Sequence, residues 1–568
     1  MDKYLATTVL LVVCLVGRSL GAGRSIPLVE PANEGEEQGH DYGEGIAGLA
    51  EAIPLQGKVP RKEGLDQDGP VEIGLKKQLL VDDYVVAEKV NVTRQLGMAT
   101  RENDGNPVLV ADKPWEHANR FGFYMSVLRD KQHNKFKIWY LAQHGGWQDF
   151  NGFNTRIGAA GVDISGVGYA ESADGINWTK PPQDVFTYDC LVRETPARPH
   201  TPTNIVIQAQ SFSCFIDPTV PWGAPDKYKA ACDNPMDQRK DGGDVACANL
   251  AYSPDGIHWK YYHDGKRVTY RAADTQNQIL WDGIAGRYLL ITRQDLAGDG
   301  GDHKETRGTR VMEHHQRNDL DEHPTAWRDL QILGFDRRKR RQIHAMTVWP
   351  YEGVYFGFLG AMEFLTDDGF SSTPGDLKTR HEENIVNFYI ATSRDAVDWD
   401  LRWAYASKPL LPRGPEGSFD KDGIHVPNLI TYNDRHWLYY CGMSERFGHN
   451  DPKGEMGIGL ATLRLDGFVC LAAKEKLGRV VTKPFKLEGN KLRVNVDATD
   501  GELSVEVLDS DSNPSQGFSG SHAPTYDGVD ELRCEPTWEG EDLSELKGKT
   551  IQLQFNIRNA KLYAFEIR

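Results

Sequence analysis

The chain contains 568 residues, with 65 lysines and arginines against 82 aspartates and glutamates, giving a formal net charge of −17 at pH 7. A surface this acidic is expected to repel nucleic acid, which excludes a nucleic-acid-binding function. The length is enough for more than one hydrophobic core, and 13 tryptophans with 57 glycines favour short strands and tight turns over long helices.

The first 23 residues predict a secretory signal peptide. Lys3 is followed by an apolar run from Leu5 to Val16 and by small residues at Gly21 to Gly23. The run is too short to span a bilayer, and no later stretch reaches about 18 uninterrupted apolar residues. We therefore expect a secreted, extracellular protein without membrane insertion, in which residues 24–70 form a disordered acidic leader.

Two sequons and the cysteine content fit an exported chain. Asn91 and Asn177 each begin an Asn-x-Thr tripeptide and are predicted glycosylation sites. Of eight cysteines, Cys14 lies in the predicted signal peptide, so seven remain and at least one is unpaired or pairs between chains. Cys232 and Cys247 are spaced for a disulfide bond across a hairpin, although the sequence does not fix the connectivity.

A short turn recurs along the middle of the chain. It reads SADGINW, SPDGIHW and SRDAVDW, and shorter variants occur in PTAW and LRLDGF. Aromatic strands keep the same rhythm of about 70 residues; they are KFKIWYLA, KYKAAC, RYLLITR, VYFGFLGA and HWLYYCGM. This alternation predicts a five-bladed β-propeller over residues 71–473. The turn is expected to join strands within a blade while its tryptophan packs between blades, so the aromatic repeats are core rather than a ligand site.

The rhythm stops after Ala473. Segments such as VNVDA and LSVEV then alternate polar and apolar residues, as half-buried strands do. The roughly 95 residues from 474 to 568 suffice for a small β-sandwich. The expected fold class is therefore all-β, a five-bladed β-propeller followed by a small β-sandwich. The sandwich either buttresses the propeller or contacts glycan, and its small size without an evident aromatic platform favours the buttress.

No spacing of metal ligands or cofactor contacts is evident. The sequence has no His-Glu-x-x-His, no paired Cys-x-x-Cys, no Gly-x-Ser-x-Gly and no phosphate loop. No cofactor is expected, and a structural calcium ion bound by Asp and Asn oxygens is left open. The one basic run, Arg337 to Arg341, precedes an apolar strand and is interpreted as a solvated hairpin.

Six longer segments form a distinctive set. They are LLVDDYVV, NPVLVADKPWE, FIDPTVPWGAPDKYKA, DTQNQILWD, GIGLATLRLDGFVCLAA and NAKLYAFEIR, and together they extend from Leu79 to Arg568. This set resembles secreted bacterial proteins grouped with glycoside hydrolase family 32 and related five-bladed β-propellers. Families 32, 43 and 68 place three acidic residues at the mouth of the central funnel, one of them in an Arg-Asp-Pro motif on the second blade. The resemblance implies that Asp217, in Ile216-Asp217-Pro218, is similar to that acid. It assigns neither nucleophile nor proton donor, because a WMNDPNG-like segment and a Glu-Cys motif are missing.

Spacing adds further candidates at the mouth of the funnel. Asp217 precedes the strand residue Tyr228 by 11 positions, and the same offset in later blades reaches Asn277, His344 and the neighbour of His425. The starts of the inner strands are expected to share a face with the loops after the second strands. The loops after the second strands contain Arg293, Glu363 and Glu445. Asp274 and Asp422 directly precede inner strands, and Glu116 lies in the KPWE segment.

Glycoside cleavage needs one protonated carboxyl group for the leaving oxygen and one ionised carboxyl group to attack or to activate water. Crowded carboxylates in a low-dielectric site separate their pKa values and so supply this division. The predicted catalytic residues are Glu363 as general acid with Glu445 as the alternative, Asp274 or Asp422 as base or nucleophile, and Asp217 to orient substrate or stabilise the developing cation. The remaining residues are predicted to bind substrate, with Arg293 and the histidines contacting carboxylate, sulfate or hydroxyl groups; they are Asn277, Arg293, His344, His425 and Glu116, with Asp422 in either role.

Each candidate also has a structural interpretation. Asp217 would turn the chain before a proline, Asp274 would cap a turn, Glu363 would be an exposed loop acid, the two histidines would be core residues, and Glu116 would pair with a nearby arginine. The alternative function is therefore a non-catalytic glycan- or matrix-binding propeller. We expect a secreted glycoside hydrolase-like protein that acts on an extracellular oligo- or polysaccharide. A third interpretation, a scaffold with protein partners, predicts a broad apolar patch on the rim.

Overall fold

A computed structural model describes residues 69–113, 115–116, 121–143, 166–187, 202–233, 248–269, 275–296, 306–315, 318–335, 341–366, 369–370, 384–446 and 456–568. The predicted signal peptide and nearly all of the predicted leader lie outside these residues, as do Asp274 and Cys247. The described residues form 34 strands and one short α-helix, Arg402–Tyr405, so the fold is all-β. Within those ranges no helix has the length and apolar character needed to cross a membrane.

The first five strands serve both domains. Strands β1 (Gln78–Leu79), β2 (Val86–Val90) and β3 (Thr93–Leu96) pair with strands near the C-terminus of the chain. Strands β4 (Thr100–Arg101) and β5 (Leu109–Val110) pair with the last blade of the propeller instead. Residues 78–96, which the repeat pattern had placed in the propeller, therefore belong by hydrogen bonding to the C-terminal sheet.

Five blades of antiparallel strands form a β-propeller. Blades 1 to 3 are separate four-stranded sheets, whereas a short parallel pairing joins blades 4 and 5 into one larger sheet. Blade 1 contains β6 (Met125–Asp130), β7 (Lys135–Gln143), β8 (Gly166–Ser172) and β11 (Ile205–Gln208), beside the separate pair β9 (Gln183–Thr187) and β10 (Pro202–Thr203). Blade 2 contains β12 (Gln210–Ile216), β13 (Tyr228–Asp233), β14 (Asn249–Ser253) and β15 (Lys260–Tyr261). Blade 3 contains β16 (Gln278–Asp282), β17 (Arg287–Leu296), β18 (Thr306–His314) and β19 (Trp327–Leu333).

Blades 4 and 5 complete the ring. Blade 4 contains β20 (Arg341–Tyr351), β21 (Val354–Thr366), β23 (Asn384–Ser393) and β24 (Trp399–Asp400), with β22 (Gly369–Phe370) paired to β21. Blade 5 contains β25 (Gly423–Tyr432), β26 (Arg435–Met443) and β27 (Met456–Arg464), and its outer edge is filled by β4 and β5. Because an early segment supplies the last strand of the last blade, hydrogen bonding between distant parts of the chain closes the ring.

The five inner strands surround the central axis in the order β6, β12, β16, β20 and β25, and β25 returns to contact β6. Polar contacts join neighbouring inner strands: Ser126 Oγ donates to the Cys214 carbonyl (2.7 Å), and the Val127 amide donates to Asn428 Oδ1 (3.2 Å). β23 runs parallel to β20 within blade 4 and also pairs in parallel with β25, so β20 and β25 run in the same direction. The predicted five-bladed propeller is confirmed.

The recurring turn has the structural role that the sequence predicts. In the second copy, Ser253 Oγ accepts hydrogen bonds from the backbone amides of Asp255 and Gly256. Asp255 Oδ1 accepts hydrogen bonds from the backbone amides of Ile257 and His258. The indole nitrogen of Trp259 then donates to the Gly256 carbonyl (2.9 Å). The indole nitrogen of Trp139, on blade 1, donates to the same carbonyl (2.7 Å), so the turn of blade 2 is fastened to the preceding blade.

Replacing Gly256 by alanine is expected to lower the free energy of unfolding by roughly 3 kcal/mol, part from its left-handed φ and part from overpacking. Gly256 has φ +84°, and a Cβ there would lie 2.6 Å from Trp139 Cζ2. The matched control is Gly286→Ala, because Gly286 has φ +70° with no atom within 4 Å of its added Cβ. Urea unfolding of both variants separates the two contributions, and equal losses would contradict a packing role for Gly256.

Three inner strands have a buried aspartate with the same surroundings at their last residue or directly after it. Each carboxylate accepts a hydrogen bond from a tyrosine of the next blade and pairs with a cation of its own blade. We call this arrangement the interblade latch; its copies are Asp130 with Tyr228 (3.1 Å) and Lys137 (2.8 Å), Asp217 with Tyr288 (2.6 Å) and Lys229 (2.5 Å), and Asp282 with Tyr355 (2.7 Å) and Arg287 (3.1 Å). The latch therefore joins blade 1 to 2, 2 to 3 and 3 to 4.

The C-terminal domain is one coiled sheet folded into a small β-sandwich. Its strands are β28 (Val469–Ala473), β29 (Gly478–Thr482), β30 (Phe485–Lys486), β31 (Leu492–Asp509), β32 (Thr525–Cys534), β33 (Thr550–Arg558) and β34 (Ala560–Ile567). The long strand β31 links the two layers, because its first half pairs with β34 and its second half with β33. The inward residues of these strands, with Trp538 and Phe518, form a single core. The predicted sandwich is confirmed.

A buried carboxylate fastens the two domains together. Asp466 accepts hydrogen bonds from Tyr351 Oη (2.6 Å), Lys77 Nζ (3.1 Å) and Asn495 Nδ2 (3.0 Å). Tyr351 belongs to the propeller, whereas Lys77 and Asn495 belong to the C-terminal domain. Leu79 and Val81 also pack into a core of the propeller. The sandwich thus packs against the propeller, and its role as a buttress stays a prediction.

No disulfide bond is found in the part of the chain that the structure describes. The five described cysteines are buried, and none of them is joined to another: Cys214, Cys232, Cys441, Cys470 and Cys534. Cys247, the partner considered for Cys232, lies outside the described residues, so a bridge between these two stays a prediction. The described cysteines fill space in the core as small apolar side chains do.

Candidate functional site

The starts of the inner strands and the ends of the second strands share one end of the propeller, which we call the opening face. Antiparallel pairing requires this: the first residue of β20, Arg341, pairs with Glu363, and the first residue of β25, Gly423, pairs with Met443. The geometric expectation is confirmed. The segments that follow the second strands lie largely outside the described residues, so the described part of the site consists of strand ends.

Glu363 lies at the centre of a buried polar cluster on this face. Its side chain is 1% exposed, and Oε1 lies 2.9 Å from Arg341 Nε and accepts a hydrogen bond from Tyr389 Oη (3.0 Å). Oε2 accepts a hydrogen bond from Asn387 Nδ2. Burial raises the pKa of Glu363, and Arg341, Asn387 and Tyr389 offset only part of that effect. The cluster therefore favours a protonated carboxyl group at higher pH than usual.

A second carboxyl group is connected to the first through two side chains. Arg413 Nε donates to Asn387 Oδ1 (3.0 Å), and Arg413 Nη1 lies 3.9 Å from Asp422 Oδ1. Asp422 also accepts a hydrogen bond from Lys421 Nζ (2.9 Å), which raises the pKa of Lys421. Asp422 is partly exposed, with 15% of its side chain accessible, whereas Glu363 is buried. The site thus holds a buried carboxyl group beside a more accessible one with two cations.

Glu445 lies two residues after β26 and is partly exposed. Its charge contributes to raising the pKa of Lys421, after the larger effect of Asp422, so Glu445 lies near the same cluster. Glu363 on blade 4 and the pair Asp422 and Glu445 on blade 5 are brought to one region of the opening face. Their chemical roles stay predictions.

The two predicted histidines form a buried pair beneath this region. His344 Nδ1 and His425 Nε2 lie 3.0 Å apart, and the ring of Phe123 stacks on His425 with centroids separated by 4.2 Å. Burial lowers the pKa of His425 to about 3, so its imidazole is neutral near pH 7. The pair joins blades 4 and 5 at the axis, which is the core role considered for both residues.

Two other predicted residues are also buried near the opening of blade 3. Asn277 Oδ1 accepts a hydrogen bond from Thr292 Oγ1 (2.7 Å), and the Asn277 backbone amide donates to the Ser211 carbonyl (3.2 Å). Arg293 lies on β17 and is 6% exposed. Asn277 therefore joins β16 to its neighbours at the opening, and Arg293 is buried in the same blade.

Glu116 is held by structural contacts. Its Oε1 accepts from Tyr140 Oη (2.7 Å), and its Oε2 accepts from Lys180 Nζ (2.7 Å) and from the amides of Asp112 and Lys113. The side chain is 1% exposed. Glu116 thus has the basic partner that was considered for it, a lysine rather than an arginine.

Asp217 lies at the opposite end of the propeller from Glu363. It follows the last residue of β12, whereas Glu363 faces the first residue of β20. The offset of 11 residues from Tyr228 does not bring Asp217 to the opening face, because the inner hairpins differ in length. Residues 217–227 join β12 to β13, whereas only residues 283–286 join β16 to β17. Burial alone would raise the pKa of Asp217, but hydrogen bonds from Lys229, Tyr288 and Thr219 lower it. Its surroundings are those of the interblade latch.

Sequence reasoning missed most of the partners of Glu363. Arg341 ends the basic run that was interpreted as a solvated hairpin, yet it is 2% exposed and contacts Glu363. Residues 336–340 lie outside the described ranges. The sequence signal for Arg341 was its position at the start of an apolar segment, which indicates that Arg341 begins the inner strand β20. Asn387 and Arg413 carry no motif, and only the pairing of β21 with β23 brings Asn387 to Glu363.

The two predicted glycosylation sites are exposed. Asn91 Nδ2 donates to the Leu477 carbonyl (3.1 Å), and Asn177 Nδ2 donates to Asp174 Oδ2 (2.8 Å). Glycosylation at either position stays a prediction. Among the described residues no group of three or more His, Cys, Asp or Glu side chains is arranged to hold a metal ion.

Comparison with known proteins finds similar solved structures at low sequence identity. No protein-family model and no curated protein matches it. Similar solved structures include a thermostable family-43 glycoside hydrolase (11% identity, TM-score 0.37, covering 62% of this chain and 91% of that one). A family-32 β-fructofuranosidase from Bombyx mori is similar over 82% of this chain and 95% of its own, at 10% identity and a TM-score of 0.36. A structure from the family-130 mannoside phosphorylases, which contain hydrolases that target β-1,2 mannosidic linkages in Candida mannan, covers 64% and 94% at 14% identity and a TM-score of 0.36.

Proposed function

We propose that this protein is a secreted glycoside hydrolase whose site is the opening-face cluster of Glu363, Asn387, Arg413 and Asp422. The observation that carries the proposal is the connection between two unlike carboxyl groups. Glu363 is buried with a raised pKa, and Asp422 is more accessible and flanked by two cations. Glycoside hydrolysis needs this division between a proton donor and an anion.

The proposed reaction breaks the bond between the anomeric carbon and the leaving oxygen. Glu363 gives its proton to the leaving oxygen as that bond breaks. Water adds to the anomeric carbon, and its proton passes to the Asp422 carboxylate. Lys421 and Arg413 place positive charge beside Asp422. Proton exchange with solvent then restores both groups.

An extracellular oligo- or polysaccharide is the substrate class we infer, since the N-terminal residues have the pattern of a signal peptide.

One observation favours the alternative, a glycan-binding propeller without catalysis. Both oxygens of Glu363 already have partners, Arg341 and Tyr389 at Oε1 and Asn387 at Oε2. Such a carboxyl group is also suited to holding the opening in shape. In that case a sugar would bind at the same face and leave unchanged.

Release of reducing ends distinguishes the two candidates. The purified full chain would be incubated with neutral, uronic-acid-containing and sulfated polysaccharides, and new reducing ends would be measured over time. We expect release from at least one class. A saturable rise in Tm with one glycan, without release from any, would replace the hydrolase by the binding protein. Neither release nor a shift in Tm would contradict both.

A further inference from the structure

Blade 2 carries a feature on the face opposite the opening face. Its inner hairpin spans residues 217–227, whereas the equivalent hairpins of the other blades span two to four residues. The extra length displays Trp222, which is 40% exposed. Among the described residues it is the only aromatic side chain in the exposed class. An exposed tryptophan on a segment that the fold does not require points to a binding role.

The hairpin is held in a fixed shape by buried contacts. Lys227 Nζ donates to the carbonyls of Asp217 (2.7 Å) and Val220 (2.7 Å), and the Asp217 amide donates to the Lys227 carbonyl (2.9 Å). The same ammonium group lies 4.8 Å from the centroid of the Trp222 ring. The edge of the ring faces His133 at 5.8 Å between centroids. Trp222 is therefore positioned before any ligand arrives, which lowers the entropic cost of binding.

Trp222 borders a groove of about 670 Å³ between blades 1 and 2. This volume is within the range of small-molecule sites. Polar side chains line the groove beside the indole; they include Gln132, His133, Gln183 and Glu171. Gln183 uses its amide nitrogen on the Pro181 carbonyl (3.1 Å), and His133 uses Nδ1 on Asp130 (2.7 Å). Their other polar atoms, together with the exposed amide of Gln132, are placed for ligand hydroxyl groups.

The charged side chains that line the groove have partners of opposite charge, and for Asp255 the partner is His258 (2.7 Å), which lies outside the groove. Lys135 lies 2.7 Å from Glu171, and both Lys137 and His133 contact Asp130. A charged ligand would have to displace these partners, whereas an uncharged one would not. The flat indole matches the weakly polar C–H face of a pyranose ring, and the amides match its hydroxyl groups. We propose that the Trp222 groove is a second, non-catalytic binding site for a neutral oligosaccharide chain.

This site stands apart from the hydrolase proposal, because it lies at the other end of the propeller and needs no chemistry. The full chain would be titrated with hexasaccharides of β-1,4-glucan, β-1,4-mannan, β-1,4-xylan and α-1,4-glucan, followed by tryptophan fluorescence and calorimetry. We expect at least one hexasaccharide to bind, and Trp222→Ala to weaken that binding roughly tenfold or more. The Tm of Trp222→Ala should stay at the wild-type value, since the ring is largely outside the core.

Two further variants decide the location of the binding. Ile284→Ala is the matched control, because Ile284 is 43% exposed on the equivalent hairpin of blade 3 and should bind as wild type does. Glu363→Gln should also keep the affinity, which separates this site from the opening face. Absence of binding by all four hexasaccharides would overturn the proposal. So would binding that Trp222→Ala leaves unchanged, and binding that Glu363→Gln abolishes would move the ligand to the opening face.

Discussion

Replacing Asp217 by asparagine is expected to lower the free energy of unfolding by roughly 3 kcal/mol, because it removes one charge of a buried pair. Lys229 is 3% exposed, and without the Asp217 carboxylate its remaining anionic partner is Asp226, at 2.9 Å. The hydrogen bond from Tyr288, which joins blade 3 to blade 2, is weakened as well. Urea unfolding followed by far-UV circular dichroism measures the loss.

The same partner lysine provides a matched control. Asp226 also pairs with Lys229, but 24% of its side chain is exposed, so Asp226→Asn should cost much less. If Asp217 were instead a catalytic acid at the funnel mouth, Asp217→Asn would abolish turnover while the stability stayed near the wild-type value. That result would contradict the latch and restore the role that the sequence resemblance implies.

The latch also predicts the direction of acid sensitivity. Hydrogen bonds from Lys137 and His133 outweigh burial and lower the pKa of Asp130 to about 2, and the pKa of Asp217 is lowered in the same way. The unfolded chain, with aspartate pKa values near 3.9, therefore binds more protons than the folded chain below about pH 4. The stability that the carboxylates contribute is present above that pH and is lost as the pH falls towards 2. The cost of Asp217→Asn should shrink over this window.

The propeller could be predicted from the sequence because each blade contains short sequence patterns that repeat along the chain. The Ser-x-Asp-Gly turn and the aromatic strand each fix a short piece of backbone, and their spacing of about 70 residues counts the blades. The pairing of residues 78–96 with the C-terminal sheet could not be predicted in that way. It depends on partners at the other end of the chain, and short strands such as β1 carry no repeat.

The site was only partly predictable for a related reason. Which end of a strand a residue occupies depends on hairpin length, and the long hairpin of blade 2 moved Asp217 to the far face. Glu363 and Asp422 were found because their positions follow from strand ends alone. Asn387 and Arg413, which connect them, lie on segments without any motif. Their contact with Glu363 and Asp422 arises from strand pairing and packing between blades 4 and 5.

Replacing Glu363 by glutamine is expected to lower kcat by roughly 10²- to 10⁴-fold, the usual contribution of a positioned general acid. Glutamine keeps the shape of the side chain but cannot give a proton to the leaving oxygen. The loss should be smaller with aryl glycosides whose leaving groups are acidic, since they depart without protonation. In the wild type, kcat should fall as the pH rises through the raised pKa of Glu363, because the proton is then lost. The variant should lack this alkaline limb.

Glu313→Gln is the matched control, since Glu313 is also a buried, arginine-paired glutamate. Its side chain is 7% exposed and contacts Arg287 and Arg328 on blade 3, away from the opening face. Glu313→Gln should lower the Tm and leave kcat per folded molecule unchanged, with the alkaline limb intact. Equal losses of kcat in the two variants would show that unfolding, rather than lost acid catalysis, accounts for the effect. A Glu363→Gln variant with full kcat would remove Glu363 from the mechanism and leave the buried carboxyl group a structural role at the propeller opening.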